Sequence, residues 1–272
     1  MFATDLDGTL LNSKHELSDG NRDALKALAD KGFVIAVATG RSRSSLPETI
    51  TSLKGLRYLI TANGARVYTR DPEELIYEKY LSEDALAYVA PFFSDSEVMC
   101  EAFWDGIPHV EEGRYNAARD YGVPKWFSDY FFNSRKALKD FDAEVAANRN
   151  KVENINFVFG DPAVQKRVYS FLEERTDLYE LTSSFPFNYE IGGIGVSKAA
   201  AVSFIAEREG IARDETLCMG DNHNDVSMIE YAGIGVAVAN AVPEALAAAD
   251  LVTVSSEDSA VASALRTLGI LL

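Results

Sequence analysis

The chain has 272 residues, 47% of them hydrophobic and 25% charged, and 42 acidic side chains against 26 basic ones give a formal net charge of −16. That length buries a core without metal or disulfide staples and predicts two domains or one large one, while the acidic balance disfavours nucleic acid and anionic membranes as partners. No apolar run approaches the roughly 20 residues a bilayer crossing needs, no basic and apolar leader opens the chain, and Cys100 and Cys218 form no disulfide framework, so a cytoplasmic, reducing location is expected.

Phe2–Thr4 reads as a very short opening strand. Ser18 can cap a helix whose Ala24, Leu25, Leu28 and Ala29 share one face and which Gly32 ends. Phe33–Ala38 is a continuous apolar run, the pattern of a parallel strand covered on both faces. Arg57–Ile60 reads as the next strand, and Ala65–Thr69 with Leu75–Leu81 as a hairpin around Arg70-Asp71-Pro72. From about Ser82 to Pro186 the texture changes. Aromatic residues crowd together there (Phe92, Phe93, Phe103, Trp104, Trp126, Phe127, Tyr130, Phe131, Phe132), and strands Glu97–Phe103, Glu153–Phe159 and Leu178–Thr182 are separated by helical stretches such as Ala163–Arg175. After Ser197 a compact alternation returns: helix Lys198–Glu209, strand Thr216–Met219, helix Asp225–Tyr231, strand Ile234–Val238, helix Pro243–Ala248, strand Leu251–Val254 and helix Asp258–Leu268. The two ends match each other and the middle differs. The expected fold is α/β, a doubly wound parallel sheet built from residues 1–81 and 190–272, with an α/β domain, 82–189, inserted between them.

Four places carry groups suited to chemistry. In Asp5-Leu6-Asp7-Gly8-Thr9, at the end of the first strand, residues two apart point the same way on extended chain. Two carboxylates converging there repel unless a cation joins them, and oxygen ligands suit Mg²⁺. Thr39-Gly40-Arg41 follows the second strand, where the threonine offers a hydroxyl and the glycine lets its backbone N–H approach an anion. Arg41 could touch phosphate or hold a carboxylate, and the segment also fits an ordinary strand-to-helix turn. Lys198 opens a helix, where an ammonium goes against the macrodipole and a phosphoryl group would supply the reason. Gly220-Asp221-Asn222-His223-Asn224-Asp225 follows a later strand, where open α/β sheets bind their ligands.

In order and type these segments resemble the haloacid dehalogenase (HAD) superfamily of phosphotransferases: DxDGT, the threonine of an ATGR strand end, a lysine, then GDNxND. The later Val226–Gly233 and Ala249–Thr253 segments match as well, and the insert of about 105 residues and the Asn63-Gly64-Ala65 turn resemble the Cof-type subgroup with its large α/β cap. Ala199 and Ala239 stand where that subgroup commonly has glycine, which bears on substrate fit and not on the reacting groups.

The resemblance implies a Mg²⁺-dependent phosphatase of small phosphorylated metabolites, sugar phosphates foremost, acting as a monomer or small homo-oligomer. It implies Asp5 as nucleophile forming an aspartyl-phosphate, and Asp7 as general acid and then general base. Asp5, the Asp7 carbonyl and Asp221 would hold the metal. Thr39, Gly40, Lys198 and Asn224 would hold the phosphoryl group with Arg41 in attendance, Asp225 would orient Lys198 or a metal-bound water, and Asn222 would support them. A phosphomutase shares the first step, and a phospho-receiver or sugar-phosphate sensor is the non-catalytic alternative. Asp7, two residues past the nucleophile, favours turnover over storage. In the insert, exposed Trp104, Asp105, Arg114, Tyr115, Asn188 and Tyr189 are candidate substrate contacts. His109 is expected on the insert's surface, His223 on a solvent-facing loop, and the aromatic run Trp126–Phe132 in the insert's core.

Overall fold

The computed structural model describes residues 1–272 apart from the side chain of Trp126, so that member of the aromatic run lies outside the described residues. Strands follow in chain order as β1 (Phe2–Thr4), β2 (Ile35–Ala38), β3 (Leu56–Thr61), β4 (Arg66–Arg70), β5 (Glu73–Glu78), β6 (Met99–Trp104), β7 (Ile107–Glu111), β8 (Lys136–Leu138), β9 (Asn154–Val158), β10 (Glu180–Thr182), β11 (Asn188–Gly192), β12 (Leu217–Gly220), β13 (Ile234–Ala237) and β14 (Leu251–Val252). The chain divides into two compact units. Met1–Gly40, Leu46–Tyr77 and Ser197–Leu272 form the first, and Arg41–Ser45 with Glu78–Val196 form the second.

The first unit holds one sheet in the order β14-β13-β12-β1-β2-β3-β4-β5, parallel from β14 through β3, with β4 antiparallel to β3. Although β1 has only three residues it sits inside the sheet, with Phe2 opposite Leu217 on one side and Ile35 on the other. Alternation along these strands sends Phe2, Ile35, Val37, Leu217 and Met219 to one face, where they pack with Ala24, Leu25 and Leu28 of helix Asp19–Asp30 and Val261, Ala264 and Leu265 of helix Ala260–Thr267. Ala3, Ala36, Ala38 and Cys218 take the other face with Ala201, Val202 and Ile205 of helix Lys198–Glu209 and Met228 of helix Val226–Tyr231. Each fully buried leucine or isoleucine contributes about 1.5–3 kcal/mol. The small side chains of the second face let the Lys198 helix lie close to the strands.

The second unit holds a sheet in the order β10-β11-β9-β6-β7-β8, antiparallel except where β8 runs parallel to β7. Strands β7, β8 and β11 carry no clear signal in the sequence. Proline argues against a strand, but pairing of β7 with β8 begins at His109, so Pro108 lies beyond the end of that ladder. In β11 both faces are covered, with Asn188 and Glu190 buried as well as Ile191. One face of this sheet is apolar, with Cys100, Ala102, Trp104, Ile155, Phe157 and Ile191 in the core. The other carries Glu101, Asn156 and Glu190 in register across three strands. Phe127 and Phe131 are buried with Met99, Val110 and Val158, whereas Phe132 is 37% exposed.

His109 is not a surface histidine. It is buried, and its ring stacks on Trp104 at 3.6 Å between centroids and 4° between planes. Burial pushes its pKa down from 6.5 to about 4. Because the unfolded chain takes up the proton first, this histidine costs nothing above pH 6.5 and destabilises the fold increasingly between pH 6.5 and about 4. His109→Phe, which keeps an aromatic ring over Trp104, should therefore gain Tm relative to the native chain as pH is lowered through that window. A thermal-melt series from pH 7 to 4.5 in which the two curves stay parallel would contradict this.

Candidate active site

Asp5, Thr39 and Asp221 each stand one residue past the carboxyl end of β1, β2 and β12. These three strands are neighbours, about 4.8 Å apart, and the sheet runs outward from β1 in both directions, so the residues converge where an open α/β sheet binds ligands. The Asp5 amide donates to the Met219 carbonyl at 2.9 Å, fixing the first carboxylate against β12.

Lys198 is 1% exposed, an unusual place for an ammonium. Its Nζ donates to Asp5 Oδ1 and to Asp225 Oδ1, each at 2.6 Å. Ser197 caps the helix by accepting from the Ala200 amide, which fixes the turn from which Lys198 projects. Burial opposes the lysine's charge, but Asp225 and Asp5 outweigh it and hold its pKa above the usual range. Asp225 is fully buried; its Oδ2 accepts from the backbone N–H groups of Asp221 and Asn222, each at 3.0 Å. Gly220 makes room for this loop, since a Cβ there would lie 2.4 Å from the Asp225 Cβ. Gly8 does the same for Asp221, whose Oδ2 would be 2.6 Å from a Cβ at that position.

Asp5, Asp221 and Asp225 each offer a carboxylate oxygen within 4.8 Å of the others. Burial first, and then the neighbouring carboxylates against the pull of Lys198, raise the Asp5 pKa well above the ordinary aspartate value. Burial and the charge of Asp225 push Asp221 up to about 7. One ammonium does not balance three acids, and the all-oxygen donor set suits a hard divalent cation such as Mg²⁺. Asp225 spends both oxygens on Lys198 and the backbone, so Asp5 and Asp221 are the carboxylates suited to a metal.

The other predicted residues divide between the units. Thr39 is buried, and its carbonyl accepts from the Asn63 amide at 3.1 Å; the Asn63 side chain in turn accepts from Asn224 Nδ2 at 2.9 Å. The second and fourth segments are thus joined through Asn63. Gly40 follows Thr39 at the edge of the first unit. Arg41 belongs to the second unit, where its guanidinium lies 4.4 Å from the Tyr130 ring centroid and donates to the Ser45 carbonyl. The Asn222 side chain accepts from the His223 amide, and His223 is exposed as expected. Asp7 directs its carboxylate to His15, 3.0 Å away.

Thr9, Asn63 and His15 are site residues to which the sequence reading gave no role. Thr9 Oγ1 donates to Asp221 Oδ1 at 2.7 Å, and its signal was its place in the DxDGT segment. His15 lies outside every motif.

In the insert, Trp104 and Asn188 are 6% and 3% exposed, which corrects the expectation of exposed contacts. Asp105 is exposed and pairs with Lys151, and Tyr115 donates to the Phe132 carbonyl. Arg114, Tyr115 and Tyr189 are half-buried. The buried polar face was not foreseen: Arg135 donates to Glu101 at 2.8 Å, Asn156 Nδ2 donates to Glu101 at 2.6 Å, and Asn188 Nδ2 bridges Asn156 Oδ1 and Glu190.

Comparison with known proteins fits this geometry. The family model described as haloacid dehalogenase-like hydrolase matches residues 2–265. The 5-amino-6-(5-phospho-D-ribitylamino)uracil phosphatase YcsE of Bacillus subtilis is 30% identical over 268 residues, covering 98% of this chain and 94% of its own. The phosphatase YwpJ of the same organism is 30% identical over 290 residues, covering 98% and 99%. Among solved structures, a haloacid dehalogenase-like hydrolase from B. subtilis superposes with a TM-score of 0.85 at 25% identity, covering 98% of this chain and 99% of that one. A HAD subclass IIB sugar phosphatase shares the fold with a TM-score of 0.82 at 24% identity, covering 99% of each chain. The chain belongs to the haloacid dehalogenase-like hydrolase family, and it is a phosphatase of that family.

Proposed function

We propose that the protein is a Mg²⁺-dependent phosphatase of small phosphorylated metabolites, sugar phosphates foremost, working through an aspartyl-phosphate. The observation that carries this reading is the buried ammonium of Lys198 between Asp5 and Asp225, with Asp221 within reach. Asp5 Oδ1 accepts from Lys198 and keeps a second lone pair that a metal could use, so Oδ2 is the oxygen we assign to attack on phosphorus. As the Asp5 oxygen–phosphorus bond forms, the ester P–O bond breaks and Asp7 gives the leaving oxygen its proton. Asp7 then takes a proton from water as that water's oxygen attacks phosphorus, and Asp5 leaves as a free carboxylate. Lys198 stays charged throughout and offsets the repulsion between a carboxylate and a phosphate dianion.

Asp5, Asp221 and the Asp7 carbonyl are the groups that would hold Mg²⁺, whose charge, when bound, lowers that same repulsion. Thr39, Gly40 and Asn224 are assigned to the phosphoryl oxygens. Leaving-group selection is assigned to the insert, 82–189 on the sequence reading. The sugar-phosphate class is supported by the relative YcsE, whose named substrate carries a phosphorylated ribityl chain.

Phosphate release from a panel of sugar phosphates, nucleotides and small phospho-acids should require Mg²⁺, stop with EDTA and return when Mg²⁺ is restored. Asp5→Asn should fold normally and lose at least about a thousandfold in kcat; substantial turnover by this variant would remove Asp5 from its role. Transfer of phosphate to a second sugar without net release would indicate a mutase instead.

Lys198→Met should do more than inactivate. It leaves two carboxylates buried without their cation, at a cost of about 3–5 kcal/mol. The variant's urea midpoint should fall accordingly at neutral pH, and adding Asp225→Asn should recover part of the loss. A Lys198→Met protein as stable as the native chain would show that the lysine is not the counter-ion described.

A further inference from the structure

The loop between β1 and helix Asp19–Asp30 is tied down at both ends. Leu6, Leu10 and Leu11 are fully buried, Leu17 is 8% exposed, and Leu11 forms isolated bridges with Asp7 and with Leu17. Between these anchors Asn12 closes a tight turn. Its Oδ1 accepts from the Lys14 and Glu16 amides at 3.0 and 2.9 Å, its own amide donates to the Glu16 carbonyl, and the His15 amide donates to the Asn12 carbonyl at 2.9 Å. These hydrogen bonds run through Asn12 and the backbone. The turn requires His15 to adopt φ +59°, a left-handed conformation in which glycine is the least costly residue. The imidazole held there projects to the carboxylate of Asp7, with Nδ1 3.0 Å from Oδ1. The two side chains are 32% and 20% exposed, so solvent screens the contact only in part.

We propose that His15 is a positioning residue for Asp7. Its Nδ1–H donates to Asp7 Oδ1 and sets the rotamer and plane of that carboxylate, so that the proton is delivered along one direction to the leaving oxygen. This rests on the reading of Asp7 as the acid and base. A carboxylate free to rotate would spend part of its time facing away from the ester oxygen, and a misplacement of about 1 Å can cost a hundredfold. The buried leucines on either side hold the turn, and thereby the imidazole, in one position.

The test compares His15→Gly, His15→Asn and Asp7→Asn in single-turnover release of two leaving groups. One is p-nitrophenolate, which departs without a proton, and the other is a sugar alkoxide, which needs one. His15→Gly should keep or raise the Tm, because glycine relieves the left-handed backbone and the Asn12 turn persists. It should slow sugar release about tenfold or more, slow p-nitrophenolate release by much less, and leave KM and the Mg²⁺ requirement within about twofold. His15→Asn, which tolerates the same φ and retains an N–H donor, should recover part of the sugar rate. Unchanged rates in His15→Gly, or equal losses on both substrates, would overturn the proposal. Equal losses in Asp7→Asn itself would overturn the acid–base reading, and the His15 proposal with it.

Discussion

The ammonium of Lys198, taken out of water and set between Asp5 and Asp225, constrains everything around it. An unpaired charge at 1% exposure would cost several kcal/mol, so the two acids must arrive with the lysine, and all three must be held by backbone that does not move. The structure meets that demand with short connections. Asp5 is one residue beyond a central strand, Lys198 begins a helix capped by its own neighbour, and Asp225 is fixed by two backbone amides of the loop it closes. Even so, the carboxylates outnumber the ammonium. Burial, and then the excess negative charge, push Asp221 up to about 7, and that excess also makes the place attractive to a divalent cation. Stability without ligand is given up here for an arrangement that, on the proposed function, a metal and a phosphoryl group complete.

How much of this was legible in the sequence depended on whether a group's role follows from its own segment. Asp5, Thr39 and Asp221 could be placed at strand ends because each follows a short apolar run. That their strands are adjacent could not be read locally, since β1 has three residues and its neighbours are β2 and β12, far apart in sequence. Asp225 reads as a helix-capping acid and does sit before a helix; its pairing with Lys198, which only the resemblance implied, depends on tertiary packing of the helix across the sheet. Arg41 shows the opposite case. It is contiguous with the Thr39 segment, yet its side chain stacks on Tyr130 of the other unit's own structure. His15 gave no signal because nothing in a single chain distinguishes a histidine on a polar turn from one aimed at a carboxylate eight residues earlier.

The insert was harder to read, for a different physical reason. Its sheet buries polar groups on one face, so alternation there does not separate core from solvent. Glu101 is fully buried because Arg135 and Asn156 satisfy it, and Glu190 and Asn188 are buried within the same network. A strand such as Asn188–Gly192 then looks like a loop by composition. Conversely, Trp104 and His109, which look like surface contacts, are stacked in the apolar face. A buried polar network of this kind gains less stability than an apolar face would, but it fixes the positions of many donors and acceptors at once.

The sheet order of the first unit has a consequence for how the molecule is made. Asp5 and the lysine that neutralises it are 193 residues apart, which at ribosomal speeds of about 5–20 residues per second separates their synthesis by roughly 10–40 seconds. During that interval β1 has β2 beside it but not β12, and the acidic turn at its end has no counter-ion. The sheet around β1 cannot be completed until the last quarter of the chain emerges. The strands of the insert, by contrast, find their partners within the intervening stretch. Such a chain favours late assembly of this cluster, so a truncated product would carry Asp5 without the ammonium that balances it.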